Sequence, residues 1–196
     1  MKRQIFIGLF SVAVLSACQR TETQVATDTT PAVTESTAPT TQSAPATAPY
    51  DLQFIDTMSK HHQMAVDMTK MGQQKFQHQE LKNAGKKIID DQTKEIAQLR
   101  QWRDQWYPGA PAAENMEMPG MSMNMDMSHM QSMSGAALDL MFIDMMIPHH
   151  QGALDMGKDA LAKAEHPELK VFAQKVIDAQ TMEIDQMQKW KKAWTK

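Results

Sequence analysis

Phe54-Ile55-Asp56-Thr57-Met58-Ser59-Lys60-His61-His62-Gln63-Met64-Ala65-Val66-Asp67-Met68 is followed, 88 residues on, by Phe142-Ile143-Asp144-Met145-Met146-Ile147-Pro148-His149-His150-Gln151-Gly152-Ala153-Leu154-Asp155-Met156. The match extends without a gap over residues 51–107 and 139–195, and about half of the aligned positions are identical. At helical periodicity Phe54, Met58, His61, His62, Ala65 and Met68 share one arc of about 120°, while Asp56 and Asp67 point the opposite way. Phe142, Met146, His149, His150, Ala153 and Met156 repeat the arrangement. Each copy therefore predicts an amphipathic helix with His and Met on its inward face. His61 and His149 point most directly inward, and His62 and His150 fall nearer the edge, where solvent can reach them.

A second helix follows in each copy. Leu81, Ile88, Gln92, Glu95, Leu99, Trp102 and Trp106 make one face, and Leu169, Val176, Gln180, Glu183, Met187, Trp190 and Trp194 make its counterpart. The starts fall near Glu80 and Glu168, the latter signalled by His166-Pro167-Glu168. No period-2 run of β-branched residues argues for a strand. Two helical hairpins must bury their stripes against each other, which predicts an all-α four-helix bundle with one long crossover over residues 108–138. Pro108-Gly109 opens that crossover, and Pro148, where the first repeat has Lys60, predicts a bend beside His149.

Outside residues 50–196 the sequence changes character. Met1-Lys2-Arg3, an apolar run from Ile5 to Val14, and Leu15-Ser16-Ala17-Cys18 have the layout of a signal sequence too short to span a bilayer. The ending resembles a bacterial lipoprotein signal, which implies that residues 1–18 are a signal peptide and that Cys18 is lipidated. Gln19 resembles residues compatible with outer-membrane sorting. The expected location is extracytoplasmic, anchored by lipid to a bacterial membrane, on the periplasmic face of the outer membrane in a Gram-negative host. Cys18 is the sole cysteine, so no intramolecular disulfide forms. Residues 19–49, rich in Thr, Ala, Pro and Ser, read as a disordered tether. The net charge of −3 comes with no basic stripe interleaved with aromatics, which argues against nucleic-acid binding.

Three sets of residues carry candidate chemistry. The first is His61, His62, His149 and His150 with Met58, Met68, Met146 and Met156. Imidazole and thioether together suit copper, and thioether favours Cu(I); the competing reading is core packing. The second is the crossover, where Met116, Met118, Met121, Met123, Met125, Met127, Met130 and Met133 surround His129 in a polar, Gly- and Ser-containing stretch. Core filling does not account for Met in such a loop, whereas exposed thioethers gather Cu(I) or Ag(I) without deprotonation. An oxidation sink and a promiscuous apolar contact are the alternatives. The third is Glu95 and Glu183, on otherwise apolar faces. A buried carboxylate needs a partner, and orienting a ligating His is one role that supplies it. His78 and His166 also recur and read as turn or capping residues.

Met-x-x-His-His-x-x-Ala-x-x-Met on a duplicated helix resembles the CopM-like family, a ferritin-like domain of unknown function. The resemblance covers both repeats and implies a helical bundle, export, and copper binding through Met58, His61, His62, Met68, Met146, His149, His150 and Met156. The expected function is sequestration or transfer of copper, as Cu(I) and also as Cu(II) or Ag(I), for metal tolerance, with a copper-transport or efflux protein as a partner. Two alternatives stand beside it: a copper-dependent oxidase on the same bundle, and a structural envelope lipoprotein that binds another protein. A di-iron site is disfavoured, because the inward face of the first helix carries no acid and the second helix offers Gln-x-x-Glu where Glu-x-x-His is required. The reading is therefore of a binding protein, not an enzyme.

Overall fold

The computed structural model describes residues 48–121 and 127–196. The signal region, Cys18, the tether up to residue 47, and Met123 and Met125 lie outside them. The described residues form helices α1 (Tyr50–Gly72), α2 (Gln79–Trp106), α3 (Ser128–Ser132), α4 (Gly135–Lys163) and α5 (Pro167–Trp194), with no strand among them. The second helix of each repeat starts one residue before the position expected. Helix α4 runs unbroken through Pro148, whose ring stands on the exposed side.

Helices α1 and α2 pair as one hairpin and α4 and α5 as the other; α1 packs on α4, and α2 and α5 meet through side chains along a groove. Two apolar clusters show the directions of the helices. Phe54 and Met58 of α1 meet Leu99 of α2, Met156 and Ala160 of α4, and Leu169 and Phe172 of α5. Ala65 and Met68 meet Leu81 and Ile88, Phe142 and Met146, and Met187 at the other end. The early half of α1 therefore lies beside the late half of α4, so the two run antiparallel. Between the clusters, at mid-length, sits a polar layer.

Buried carboxylates lock the two hairpins together. Asp51, in the first turn of α1, accepts the backbone N–H groups of Glu165 (2.9 Å) and His166 (2.8 Å), with His166 Nδ1 at 2.6 Å. Asp139, its repeat mate on α4, accepts from Gln77 (3.0 Å) and His78 (2.9 Å), with His78 Nδ1 at 2.7 Å. Each carboxylate thus sits at the N-terminus of a helix in the other hairpin, where unpaired N–H groups and the helix dipole favour an anion. The rings stack face to face on tryptophans: His78 on Trp194 at 3.7 Å and His166 on Trp106 at 3.8 Å. These two histidines are the N-cap residues of α2 and α5.

The described part of the crossover is held down instead of hanging free. Asp56 accepts from Arg103 Nε (2.6 Å) and from the Ala113 N–H (2.9 Å), Thr57 Oγ1 accepts the Asn115 N–H (2.8 Å), and Lys60 pairs with Glu114. Gly120, at φ +84°, rests against the backbone of Gly152 so closely that a Cβ on either would collide with the other's carbonyl.

Candidate metal centre

The polar layer consists of the double-His steps and the residues that face them. All four imidazoles are buried, His61 at 1% exposure and His62, His149 and His150 at 0%. The expectation that His62 and His150 lie at an accessible edge is therefore corrected. Adjacent positions on a helix diverge by about 100°, so His61 and His149 turn toward each other across the α1–α4 contact, and His62 and His150 turn toward α2 and α5. The rings of His61 and His149 lie 3.7 Å apart, centroid to centroid, at 35°.

Each outer histidine meets the glutamate of its own hairpin. His150 Nε2 and Glu183 Oε2 form a hydrogen bond of 2.8 Å. His62 Nε2 stands 3.0 Å from Glu95 Oε2, close enough for an ion-pair contact but without hydrogen-bond alignment. The glutamates remain about one-quarter exposed at 26% and 21%, so they bridge the buried rings and solvent. Gln92 and Gln180, one helical turn earlier, are buried at 3%, and Gln92 has neither side-chain polar atom paired.

Seven of the eight ring nitrogens in the layer lack an aligned hydrogen-bond partner; His150 Nε2 is the exception. Unpaired buried polar atoms are costly, which makes such a cluster unusual in a pure packing core. Burial, followed by the neighbouring rings of His62 and His150, pushes His61 down to about 3. Burial and the rings of His61, His150 and His62 hold His149 well below its ordinary value. Both are therefore neutral bases at physiological pH, the form that ligates a metal. Burial alone would raise Glu183, but the His150 hydrogen bond and the charges of His150 and Lys87 outweigh it and keep the carboxyl below the usual range.

Thioethers flank the layer on both sides. Met58 and Met156 belong to one apolar cluster, Met68 and Met146 to the other, and all four are fully buried. Among the described residues no group of three His, Cys, Asp or Glu side chains stands ready as a metal cluster. A site here therefore has to combine imidazole with thioether, a donor set that suits a soft or borderline ion and not a hard one.

The crossover methionines divide. Met116 is exposed at 47% and His129 lies at the surface. Met118 (4%), Met121 (3%) and Met130 (0%) are buried, the first in the Met58–Met156 cluster and the last in the Met68–Met146 cluster, against which Met127 and Met133 also pack. The expectation of thioethers exposed on a polar loop is corrected for these three. The loop's anchors press it onto α1 and α4, so its methionines extend the core next to the histidine layer. The tie of Asp51 and Asp139 to the opposite hairpin was missed in the sequence, although both occupy matched positions at the repeat starts.

Fold and site together define a class: an all-helical bundle of two duplicated hairpins, with a buried histidine–methionine layer at mid-length. The chain belongs to the family described as Domain of unknown function (DUF305), which matches residues 51–191. Its structure is similar to that of CopM in the Cu(I)-bound form, with 36% identity, 74% of this chain and 96% of that chain covered, and a TM-score of 0.64. The Cu(II)-bound form of CopM gives 36% identity, 75% and 99% coverage, and a TM-score of 0.66. A DUF305 protein from Streptomyces coelicolor gives 25% identity, 71% and 90% coverage, and a TM-score of 0.65. None of the curated proteins matches the chain significantly.

Proposed function

We propose that this protein is an extracytoplasmic copper carrier that sequesters Cu(I), and also Cu(II) or Ag(I), and hands it on to a transport or efflux protein, without catalysing a reaction. The observation that carries the reading is the buried layer of four imidazoles between methionine-lined clusters, with His61 and His149 at its centre neutral and without an aligned hydrogen-bond partner. The likeness to CopM, solved in Cu(I)-, Cu(II)- and Ag-bound forms, supports the same ion class. In this reading His61, His62, His149 and His150 with Met58, Met68, Met146 and Met156 hold the ion in the bundle. Met116, Met118, Met121, Met123, Met125, Met127, His129, Met130 and Met133 make a second, softer capture region. Glu95 and Glu183 fix the orientation of His62 and His150, and a lipid on Cys18 keeps the carrier at the membrane.

The test is competition for Cu(I) against a chromophoric chelator under reducing conditions. Wild type is compared with a 116–133 deletion and with a variant carrying Ala at positions 61, 62, 149 and 150. Stoichiometry falling with both changes supports the two-part carrier. No binding above a Met-free control protein refutes it. Oxygen uptake on adding Cu(I), if catalytic, transfers the assignment to an oxidase.

A further inference from the structure

The second helices of the two repeats differ at one place in a way that reshapes the surface. At the repeat offset Trp102 corresponds to Trp190, Leu81 to Leu169, Ile88 to Val176 and Leu99 to Met187. Phe172, however, corresponds to Ala84. In one half of the bundle Phe172 is 7% exposed and meets Trp102 edge-on at 5.8 Å. In the other half Ala84 offers no ring to Trp190. What remains is a cavity of about 290 Å³, open to solvent between α2 and α5 and lined by Leu81, Ala84, Ile88, Met182, Met187 and Trp190.

The rim differs in the same sense. Ala179 and Met182 edge the hollow half, and the residues in the corresponding positions are Asp91 and Lys94, which pair with each other, Asp91 also holding Lys87. Met182 is 66% exposed. One half of the molecule therefore has the filled, charged surface expected of a solvated helix pair. The other half has a hollow beside an exposed thioether. A void lined by apolar groups and an exposed Met each cost stability or solubility, and here both fall on one spot.

We propose that this notch is a docking site for a protein partner that inserts one aromatic side chain beside Trp190, in the place that Phe172 takes beside Trp102. The chain itself shows that a ring fits this geometry. A second copy is a poor occupant, because the exposed large apolar side chains among the described residues are Met116, Val171 and Met182, none of them aromatic. Lys87 at the rim is already held by Asp91 and Glu183, so the partner surface around the inserted ring is apolar and not charged. A thioether at the edge adapts to rings of differing shape, and an aromatic anchor in a pocket is the usual energetic centre of an interface. Glu183 lines this cavity as well as the polar depression formed with Gln92, Glu95 and Gln180, and it bonds His150. A docked partner consequently stands one side chain from the histidine layer. The docking itself does not depend on which ion the layer holds.

The test is a titration of the full chain with N-acetyl-phenylalaninamide, read by the methyl resonances of Met182 and Met187 and the indole N–H of Trp190. N-acetyl-alaninamide and toluene serve as comparison probes. Saturable shifts are expected with the phenylalanine probe, at least tenfold weaker with the alanine probe. Ala84→Phe, which restores the repeat mate's ring, is expected to abolish them. Met182→Lys, at an exposed position that tolerates charge, is expected to weaken them severalfold with the fold intact. No saturation with the phenylalanine probe, or equal saturation with the alanine probe, overturns the proposal. Toluene binding without phenylalaninamide binding also overturns it, by making the notch a pocket for small apolar ligands. Should Ala84→Phe misfold, unchanged binding in Met182→Lys overturns it by itself.

Discussion

Acidification of the metal-free protein is the sharpest probe of the histidine layer. His61 is driven down to about 3 in the fold, first by burial and then by its neighbouring rings, against an ordinary value near 6.5. Between these values the unfolded chain binds a proton that the native state refuses. Stability is therefore greatest above about pH 6.5 and falls as pH is lowered, until His61 protonates in the native state. The slope is about 1.4 kcal/mol per pH unit for each refused proton. From about pH 6.5 to about pH 4.5, His61 alone gives a loss of up to ~2.7 kcal/mol, and His149, shifted in the same direction, adds to it. Total stabilities are about 5–15 kcal/mol, so the effect is large. The assay is urea unfolding followed by far-UV circular dichroism at several pH values, comparing wild type with His61→Leu/His149→Leu. Carboxylates titrating in both proteins cancel in the difference. The wild-type midpoint should fall more steeply than the variant's across this window, with equal m-values. Parallel loss in both proteins would refute the claim that His61 and His149 are held neutral by burial.

Other consequences follow from named contacts. His61→Leu/His149→Leu at neutral pH should leave the metal-free protein as stable as wild type or more so, since each unpaired buried polar group costs about 1–3 kcal/mol, yet its Cu(I) stoichiometry in chelator competition should fall. Asp51→Asn should destabilise by roughly 1–3 kcal/mol, because a buried acceptor serving two backbone N–H groups and a ring loses its charge; Asp139→Asn should match it within error in thermal melts, and a large disparity would argue against equivalent latches. Gly152→Met, which imports the residue of the first repeat, should push the Gly120 turn off α4; protease cleavage within residues 108–121 should accelerate, and an unchanged digestion pattern would contradict the packed loop. Saturating Cu(I) at about a thousandfold above its Kd should raise wild-type stability by about 4 kcal/mol, and no thermal shift would remove the bundle from the binding reading.

The repeat alone determined much of this protein. Because 3.6-residue periodicity maps sequence onto a helix face, the double-His steps, Met58, Met68, Met146 and Met156, and the Gln–Glu faces of the second helices were all legible as inward stripes. Hairpin length and the absence of strand patterning then left a bundle. Burial depth was not legible, because angular position on a helix does not say how closely the neighbouring helix approaches. His62 and His150 lie near the edge of the arc, yet α2 and α5 close over them. The crossover was misread for a related reason: composition reports what a segment tends to do alone, whereas Asp56, Thr57 and Gly152 supply partners from elsewhere in the chain that fix Met118, Met121 and Met130 in the core. Asp51 and Asp139 look like helix-start acids until the opposite hairpin arrives. The consequence of placing Ala84 where the other repeat has Phe172 likewise depends on Trp190 standing across the groove, a contact between segments about a hundred residues apart in sequence that local pattern cannot encode.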